Sequence, residues 1–340
     1  MGGRDRDVLG WSPADVPDLG GRRVVITGAD SGLGFETARV LAGHGATVVL
    51  ACRDVPLAEA AAAHIRSEVA AAGGPSTADV RVQHLDLASL GSVYAAAGRI
   101  RAEHPRIDLL INNAGVMRPD PAATQDGFDP TLGINYLGHF ALTGLLLDRL
   151  LAATDSRVVM VSSLAHHIGR ISPVDLARVP AFSAGQSDRP RVISPAANGS
   201  AGGRLPYPAS KLAMLMFAFE LQRRLDAAGA STIAVAAHPG VARTGLGRGL
   251  PTVMRAFMAD RMQPVMGWLI HGAQAGALAS IRAAVDPSVR GGEFYGPNGL
   301  FGATGTPAPA RAGRAALHRD RQRLLWAESE RITGVTYRLG

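Results

Sequence analysis

The sequence contains few cysteines, lysines or aromatic residues. Cys52 is the single cysteine, aromatic residues make up 5%, and Lys211 is the only lysine among 35 lysines and arginines. One cysteine cannot form a disulfide within the chain, and a small buried core thiol in a reducing cytosol is the expected state. Because few aromatics lie among the scattered arginines, the net charge of +7 indicates a solvated surface rather than a nucleic-acid-binding face.

Long apolar segments are also missing. No run reaches the ~18 consecutive apolar residues of a membrane span. Residues 1–21 are polar and Gly-rich, without the apolar stretch of a signal peptide. These features predict a cytoplasmic protein with no transmembrane segment. With 47% hydrophobic and 19% charged residues, the composition is that of a folded soluble protein.

Short β-branched runs alternate with Ala-rich helical stretches through most of the chain. Apolar runs of this length, with helices between them, are typical of parallel strands covered on both faces. The pattern predicts an α/β fold: a single-domain Rossmann-type doubly wound parallel sheet with helices on both faces. The predicted strands are 23–27, 47–51, 80–85, 107–112, 157–162, 232–238 and 293–295, and the predicted helices are 33–43, 56–72, 89–104, 130–152, 207–228 and 273–284.

The predicted Rossmann domain covers residues 21–302, between a flexible N-terminal arm (1–20) and a C-terminal extension (303–340). A long insert near 177–206 is rich in Gly, Pro, Ser and Arg; it either caps the substrate cleft or is disordered, and we expect partial disorder. A segment near 245–271 places four methionines four residues apart. That spacing indicates either a substrate lid for an apolar ligand or an amphipathic helix packed on the core or on a second subunit.

A Gly-rich turn follows the first predicted strand and opens the first predicted helix. It contains Gly28, Ser31, Gly32, Leu33 and Gly34. Glycines there allow a tight turn and a close backbone approach, while the helix N-terminus offers N–H groups to a pyrophosphate. The order of strand, turn and helix predicts a dinucleotide-binding site.

The end of the second predicted strand indicates which dinucleotide binds. Arg53 stands near the position where a carboxylate would contact the adenosine ribose of NAD, and an arginine there accommodates a 2′-phosphate. Arg53, with Ser31 expected nearby, therefore favours NADP(H) over NAD(H). The alternative, in which Asp54 contacts the ribose and Arg53 is one of many surface arginines, stays open.

Tyr207 and Lys211 are four residues apart on a predicted helix and therefore share one face. An ammonium near a phenol stabilises the phenolate and lowers the pKa of the tyrosine, as proton exchange near neutral pH requires. The pair therefore indicates proton chemistry.

These residues belong to a set of motifs that resembles the short-chain dehydrogenase/reductase family over roughly residues 20 to 300. The runs 50–54 and 162–167 are similar to the retinol-dehydrogenase-like branch. The motifs, in family order, are Thr27-Gly28-x3-Gly32-x-Gly34, Asp86-Leu87, Asn112-Asn113-Ala114-Gly115, Asn135, Ser162-Ser163, Tyr207-x3-Lys211 and Pro239-Gly240-x3-Thr244.

The resemblance implies a catalytic tetrad of Asn135, Ser163, Tyr207 and Lys211. It implies that Tyr207 exchanges a proton with the substrate oxygen and that Ser163, rather than Ser162, hydrogen-bonds that oxygen. Lys211 is implied to bond the nicotinamide ribose, and Asn135 to anchor a water linked to Lys211. The implied cofactor contacts also include Tyr207 itself, Asp86 and Leu87 at the adenine, Asn113, Ala114 and Gly115 along the adenosine side of the cleft, and Thr244, after Pro239 and Gly240, at the nicotinamide carboxamide.

One feature departs from the family pattern. Ser163 and Tyr207 are 44 residues apart, which is farther than the family's usual separation. The excess falls between residues 177 and 204, where an insert can loop out over the surface. The neighbouring His166 and His167 lack further Cys or acidic ligands in sequence reach, so no metal site is expected.

The expected function is an NADP-dependent oxidoreductase that interconverts a carbonyl and an alcohol on an apolar small molecule. Two alternatives remain, a dinucleotide-binding regulator or scaffold without turnover and a double-bond reductase that shares the Tyr-x3-Lys pattern. The resemblance also implies a homodimer or homotetramer that forms through the long helices. The expected binding partner is a small molecule, and the scattered charge indicates no nucleic acid.

Overall fold

A mostly parallel sheet of eight strands forms the centre of the fold. The computed structural model describes residues 10–73, 79–117, 123–171, 176, 179, 181–182, 206–241 and 272–339. In these residues the strands lie in the order β3-β2-β1-β4-β5-β6-β7-β8, and only β8 is antiparallel to its neighbour. The strands are β1 Arg23–Thr27, β2 Thr47–Cys52, β3 Val80–His84, β4 Leu109–Asn112, β5 Arg157–Val161, β6 Ile233–Ala237, β7 Phe294–Pro297 and β8 Pro307–Pro309.

Helices cover both faces of this sheet, because successive strand residues point to opposite sides. Val24 and Ile26 of β1 lie in one core, whereas Val25 lies in the other. The first core packs under α1, α2 and α8, and the second under α3, α5, α7 and α9. The helices are α1 Gly32–Gly43, α2 Val55–Ala71, α3 Leu90–Glu103, α4 Pro130–Leu132, α5 Gly138–Leu145, α6 Leu147–Leu151, α7 Pro206–Ala227, α8 Ala273–Val285 and α9 Arg319–Thr333.

This architecture confirms the predicted doubly wound α/β fold, but the predicted helix over 130–152 is divided. A π-helical turn, Gly133–Leu137, separates α4 from α5. The chain packs closely on both sides of this turn: a Cβ on Gly133 would lie 2.6 Å from Cγ2 of Thr124, and one on Gly138 would lie 2.8 Å from the carbonyl oxygen of Leu87. Such turns are common at functional sites.

Residues 10–20, which the composition placed in a flexible arm, pack against the molecule. Trp11, Val16 and Leu19 are buried in the core under α1 and α8. The Leu19 N–H also donates to the carbonyl of His44 at 2.8 Å. These apolar side chains fix the second half of the predicted arm, while residues 1–9 lie outside the described residues.

The C-terminal extension is also part of the fold. Strand β8 extends the sheet beyond β7, and α9 packs on α7 and α5. Trp326 of α9 is 1% exposed and lies among the rings of Phe140, Phe217 and Tyr337. The central domain therefore continues past residue 302.

Two predicted segments cannot be compared with the structure. Most of the insert near 177–206 and the whole segment near 245–271 lie outside the described residues. In the part of the chain that is described, no helix combines the length and apolarity needed to cross a bilayer.

Candidate active site

The Gly-rich turn between β1 and α1 has a backbone that only glycine adopts easily. Gly28 and Gly32 have φ of 62° and 58°, in the left-handed region where a Cβ is unfavourable. A Cβ on Gly34 would collide with the carbonyl oxygen of Gly28 and approach Nδ2 of Asn113 to 2.5 Å. The turn therefore leaves a cradle of backbone open to a ligand at the N-terminus of α1.

A cleft of about 260 Å³ lies beside this turn, at the carboxyl ends of the strands. Its walls also contain several residues that were not among the predicted cofactor contacts, including Asp30, Cys52, Val116 and Ile134. The sequence-predicted cofactor residues that line it are Gly28, Ser31, Gly32, Leu33, Gly34, Arg53, Asp86, Leu87, Asn113, Ala114 and Gly115.

Three charged residues surround the end of β2 in this cleft. Asp54 caps helix α2, since its Oδ1 accepts a hydrogen bond from the Leu57 N–H at 3.0 Å. Burial raises the pKa of Asp30, which also interacts with the charges of Asp54 and Arg53. One carboxylate oxygen of Asp54 is thus occupied by the hydrogen bond that caps α2. Arg53 is the positively charged residue in this wall of the cleft.

Cys52, in the same wall, is 2% exposed. Its Sγ accepts a hydrogen bond from the Ala29 N–H at 3.2 Å. Burial raises the pKa of the thiol to about 12, and the nearby charge of Asp30 adds to the effect. The thiol is therefore neutral and shapes the turn rather than acting as a nucleophile.

Asn135 lies in the π turn and joins three segments of the chain. Its Oδ1 accepts from the Val116 N–H at 2.8 Å, and its Nδ2 donates to the Val116 carbonyl and to Oγ of Ser210, both at 2.9 Å. Ser210 belongs to α7 and donates in turn to the carbonyl of Tyr207 at 2.8 Å. The side chain of Asn135 therefore ties the wall of the cleft to the helix of Tyr207.

A buried histidine, His139, holds the backbone of Asn135. The hydroxyl of Thr27 accepts from the N–H groups of Asn113 and Ala114, so its own proton is directed to Nε2 of His139 at 2.8 Å. Nδ1 of His139 then carries the ring proton and donates to the Asn135 carbonyl at 2.9 Å. Burial lowers the pKa of His139 to about 4, helped by the charge of Lys211, which keeps the ring neutral.

Ser163 follows β5 and caps the short 3₁₀ helix Leu164–Ile168. Its Oγ accepts from the Ala165 N–H at 3.2 Å. Its carbonyl accepts from His166 twice, from the backbone N–H at 3.0 Å and from Nδ1 at 2.7 Å. The preceding Ser162 is 2% exposed and donates to the carbonyl of Lys211 at 2.8 Å. Ser162 thus holds α7 in place, whereas the Ser163 side chain is partly open.

Lys211 is 3% exposed and is not among the residues that line the cleft. Its Nζ donates to the Val161 carbonyl at 2.9 Å and lies 5.8 Å from the ring centroid of Tyr207. Burial lowers the pKa of Lys211 to about 8. A Cβ on Gly115 would lie 3.2 Å from this Nζ and 3.4 Å from Oδ1 of Asn135. Gly115 therefore marks where the cleft meets the catalytic candidates.

Tyr207 contacts Ser163 directly, because the two side chains share a hydrogen bond. Burial raises the pKa of Tyr207, and the bond to Ser163 opposes this effect. The expectation that a neighbouring ammonium lowers the pKa of the phenol is therefore reversed in the ligand-free molecule, where burial dominates. Near neutral pH the phenol therefore carries its proton.

The last predicted contacts lie after β6. Gly240 has φ of 70°, and its N–H donates to Nδ1 of His238 at 3.2 Å. Pro239 and Gly240 thus follow a strand end at the same edge of the sheet, but they are not among the residues that line the cleft. Thr244 lies outside the described residues.

Comparisons with known proteins agree with this geometry. The family model described as short chain dehydrogenase matches residues 22–174. The chain is 39% identical to human retinol dehydrogenase 13 over 326 residues, covering 95% of this chain and 87% of the relative. It is 44% identical to human retinol dehydrogenase 12 over 269 residues, or 79% of this chain and 76% of the relative.

Solved structures show the same architecture. An uncharacterised protein from Mycobacterium paratuberculosis superposes with a TM-score of 0.71 at 39% identity, over 97% of this chain and 99% of that one. A structure described as an NAD(P)-dependent gluconate 5-dehydrogenase from Beutenbergia cavernae, with NADP bound, has a TM-score of 0.57 at 23% identity, over 82% and 95% of the two chains. This second likeness supports the fold alone.

Proposed function

Because the chain belongs to the short-chain dehydrogenase/reductase family and is an NAD(P)-dependent oxidoreductase acting on CH–OH groups, we propose that it reduces the carbonyl of an apolar small molecule with NADPH. Tyr207 is the proton donor in this proposal. The observation that carries it is the phenol of Tyr207, which is hydrogen-bonded to Ser163 and lies near the buried Lys211, itself next to Gly115 of the cleft wall.

The residues of the cleft fit a dinucleotide. Gly28 and Gly32 hold the left-handed backbone of the turn, and Gly34 lets α1 pack closely against Gly28 and Asn113. The N-terminus of α1 supports an anionic pyrophosphate. Gly115 leaves room beside Lys211 and Asn135 at the other end. A bound dinucleotide supplies the hydride for reduction.

NADP(H) is favoured over NAD(H) by the charges around β2. Arg53 lines the cleft and is a cation suited to a 2′-phosphate. The rival reading, in which Asp54 binds the ribose hydroxyls, is weakened because one oxygen of Asp54 caps α2. Asp30 lines the same wall, and its negative charge acts against a 2′-phosphate. Burial raises the pKa of its carboxyl, and the charge of Arg53 opposes that shift.

The proton chemistry follows from burial. Tyr207 keeps its proton in the ligand-free molecule because burial raises the pKa of the phenol, so it can donate to a carbonyl oxygen as that oxygen gains negative charge. Ser163 hydrogen-bonds the phenol and is placed to bond the same substrate oxygen. Both groups lie on elements fixed by further hydrogen bonds, which lowers the cost of orienting them.

Lys211 balances the charge that proton transfer leaves behind. With a pKa lowered to about 8 by burial, its ammonium is mostly protonated at pH 7. It lies 5.8 Å from the centroid of the Tyr207 ring, close enough to stabilise a phenolate after the proton has left. Asn135 holds the cleft wall and α7 together around this pair.

An apolar substrate is supported by the similarity to enzymes that are named for retinol, an apolar alcohol. The exposed side chains around Ser163 agree, since Ile168 of the adjacent 3₁₀ helix is 68% exposed. We therefore propose long-chain or isoprenoid aldehydes and their alcohols as the substrate class.

The test is NADPH consumption with a panel of apolar aldehydes and ketones by the wild type, Tyr207→Phe and a control, Tyr94→Phe, on the distant helix α3. We expect turnover in the wild type and the control, and a loss of at least ~1,000-fold in Tyr207→Phe with NADPH binding retained, because the proton donor is gone. Wild-type protein that binds NADPH but turns over no carbonyl would instead support the binding-only alternative.

A further inference from the structure

His166 connects the catalytic serine with the C-terminal part of the chain. It is 1% exposed and lies between Ser163 and Gly313, which is 147 residues further along. Nε2 of His166 is 3.0 Å from the backbone nitrogen of Gly313, and Nδ1 is 2.7 Å from the carbonyl oxygen of Ser163. One imidazole thus bridges two segments that are remote in sequence.

The partners fix the protonation of this ring. The N–H of Gly313 only donates, so Nε2 must accept, and the carbonyl of Ser163 only accepts, so Nδ1 must carry the proton. A neutral imidazole with the proton on Nδ1 is the one form that satisfies both groups. The surroundings agree: burial, together with the neighbouring His167, lowers the pKa of His166 to about 4.

Glycine at position 313 allows the close approach. A Cβ there would lie 3.1 Å from Nδ1 of His167 and 3.4 Å from Cδ2 of His166. The segment that carries Gly313 is held at both ends: the Ala310 N–H donates to the Phe294 carbonyl at 2.7 Å. On the other side, the Gln322 side chain donates to the carbonyl of Ala316 at 2.6 Å.

The bridge acts on the orientation of Ser163. Both hydrogen bonds to the Ser163 carbonyl come from His166, and the Ser163 hydroxyl accepts from the Ala165 N–H within the same 3₁₀ helix. Fixing His166 therefore fixes the helix that orients the Ser163 hydroxyl toward Tyr207. A looser His166 would let this short helix rotate and weaken the Ser163–Tyr207 bond.

We propose that His166 is a positioning residue which ties the catalytic Ser163 to the C-terminal segment through Gly313, so that residues 307–333 take part in forming the active site. This proposal rests on the proposed function, since it assigns a catalytic role to Ser163 and Tyr207. It adds a structural requirement beyond the tetrad: the C-terminal segment must be docked for Ser163 to be held.

The consequence for catalysis is specific. Burial raises the pKa of Tyr207, and the hydrogen bond with Ser163 lowers it. If the tie is broken, this opposing effect weakens and the pKa of the phenol rises. In alcohol oxidation, which needs the deprotonated phenol, the rising limb of the pH–rate profile should move to higher pH. The KM for NADPH should stay unchanged, because neither His166 nor Gly313 lines the cofactor cleft.

Two variants break the tie from opposite sides. Gly313→Pro removes the donated N–H and puts a ring carbon where the hydrogen points at Nε2 of His166, so the imidazole must move away. Its fixed φ near −65° matches the observed φ of −61°, so the backbone itself accepts the change. His166→Asn places an amide donor near the Ser163 carbonyl but is too short to reach Gly313. The matched control is His167→Asn at the exposed neighbouring position. Gly313→Ala keeps the N–H but places a Cβ 3.1 Å from Nδ1 of His167, so it measures the effect of crowding without the loss of the hydrogen bond.

We expect each tie-breaking variant to lower kcat roughly fivefold to tenfold, the size of one hydrogen bond, and to shift the oxidative pH profile upward. The double variant should resemble either single variant, since both remove the same interaction. His167→Asn should stay within about twofold of the wild type, and Gly313→Ala should lose less activity than Gly313→Pro because it keeps the N–H. Multiplicative losses in the double variant, or an unshifted pH profile in both single variants, would overturn the proposal.

A readout without turnover separates this proposal from the proposed function. The ¹⁵N chemical shifts of His166 should show the neutral form with the proton on Nδ1 between pH 6 and 8, and Gly313→Pro should change these shifts while His167→Asn should not. A proton on Nε2 would refute the tie even if the enzyme is active. The expected tautomer in a protein that reduces no carbonyl would refute the proposed function and leave the structural tie intact.

Discussion

Arg53 is the single residue on which the proposed choice of cofactor depends most. It is the cation in the cleft wall at the end of β2, between Asp30 and Asp54. Replacing it with alanine removes a charge-assisted contact to a 2′-phosphate, which contributes ~1.5–3 kcal/mol. Arg53→Ala should therefore raise the KM for NADPH by about 10- to 100-fold and leave the KM for NADH nearly unchanged.

Steady-state kinetics with both cofactors check this prediction. Arg99→Ala, an exposed arginine on α3, is the control for a general loss of positive charge and should change neither KM. Equal effects of Arg53→Ala on NADPH and NADH would contradict the role given to Arg53.

A functional residue could be predicted from the sequence where the chemistry requires a particular residue type at a particular spacing. It could not be predicted where its role depends on a contact with a residue far away in the chain. The structure brings Tyr207, Ser163 and Lys211 together as the motifs suggested. His139 gave no such signal, because it acts through Thr27, 112 residues away. His166 was noticed only as one of a pair, and its partner Gly313 is still more remote.

Helix α9 is the element whose contribution differs most from expectation. Its Trp326 is almost fully buried, with ring centroids 4.4 Å from Tyr337 and 5.2 Å from Phe140. The guanidinium of Arg224 on α7 also lies 4.3 Å from the Trp326 ring centroid. Trp326→Ala should lower the free energy of unfolding by ~3–5 kcal/mol, the cost of emptying a large core site.

Urea denaturation measures this loss, and Leu324→Ala on the same helix is the control because Leu324 is 53% exposed. The control should change the free energy of unfolding by less than about 0.5 kcal/mol. If Trp326→Ala changed the free energy of unfolding as little as the control, α9 would not contribute to the stability of the core.

Strands and helices with a clear hydrophobic periodicity were predicted well from the sequence. Elements that are fixed by tertiary contacts were not. The seven strands predicted from β-branched runs are all present, with shifts of one or two residues at some ends. Strand β8 is three residues long and contains two prolines, so its sequence gives no strand signal. The π turn at Asn135 likewise depends on hydrogen bonds to Val116 and Ser210, which come from other segments.

At the scale of the whole molecule, two buried neutral histidines make stability depend on pH. Burial lowers the pKa of both His139 and His166 to about 4, whereas an unfolded histidine titrates near ~6.5. As pH falls below about 6.5 the unfolded state binds protons that the folded state does not, so folding becomes less favourable. Each histidine should cost about 2 kcal/mol at pH 5 relative to pH 7.5.

The free energy of unfolding, measured by urea denaturation at pH 7.5 and pH 5, tests this estimate. Stability should be highest above pH 6.5 and should fall steadily toward pH 4, and His166→Asn should reduce the drop by about 2 kcal/mol. A wild-type stability that is flat from pH 7.5 to 5 would contradict the neutral, buried state of both rings.

Assembly remains a prediction at this scale. The proposed homodimer or homotetramer was expected to form through the long helices, yet α7 is already covered on one face by α9. A subunit interface that includes α7 would therefore have to include α9 as well.

In the proposed reaction, this chain transfers a hydride from NADPH to a carbonyl carbon and a proton from Tyr207 to the carbonyl oxygen. The most direct measurement is reduction of an apolar aldehyde with NADPH deuterated at the transferring position, followed by mass spectrometry of the alcohol. We expect one deuterium on the former carbonyl carbon of the alcohol. With Tyr207→Phe we expect no labelled alcohol, because turnover is lost. Binding of NADPH without any labelled alcohol, across a broad panel of aldehydes and ketones, would contradict the proposed reaction.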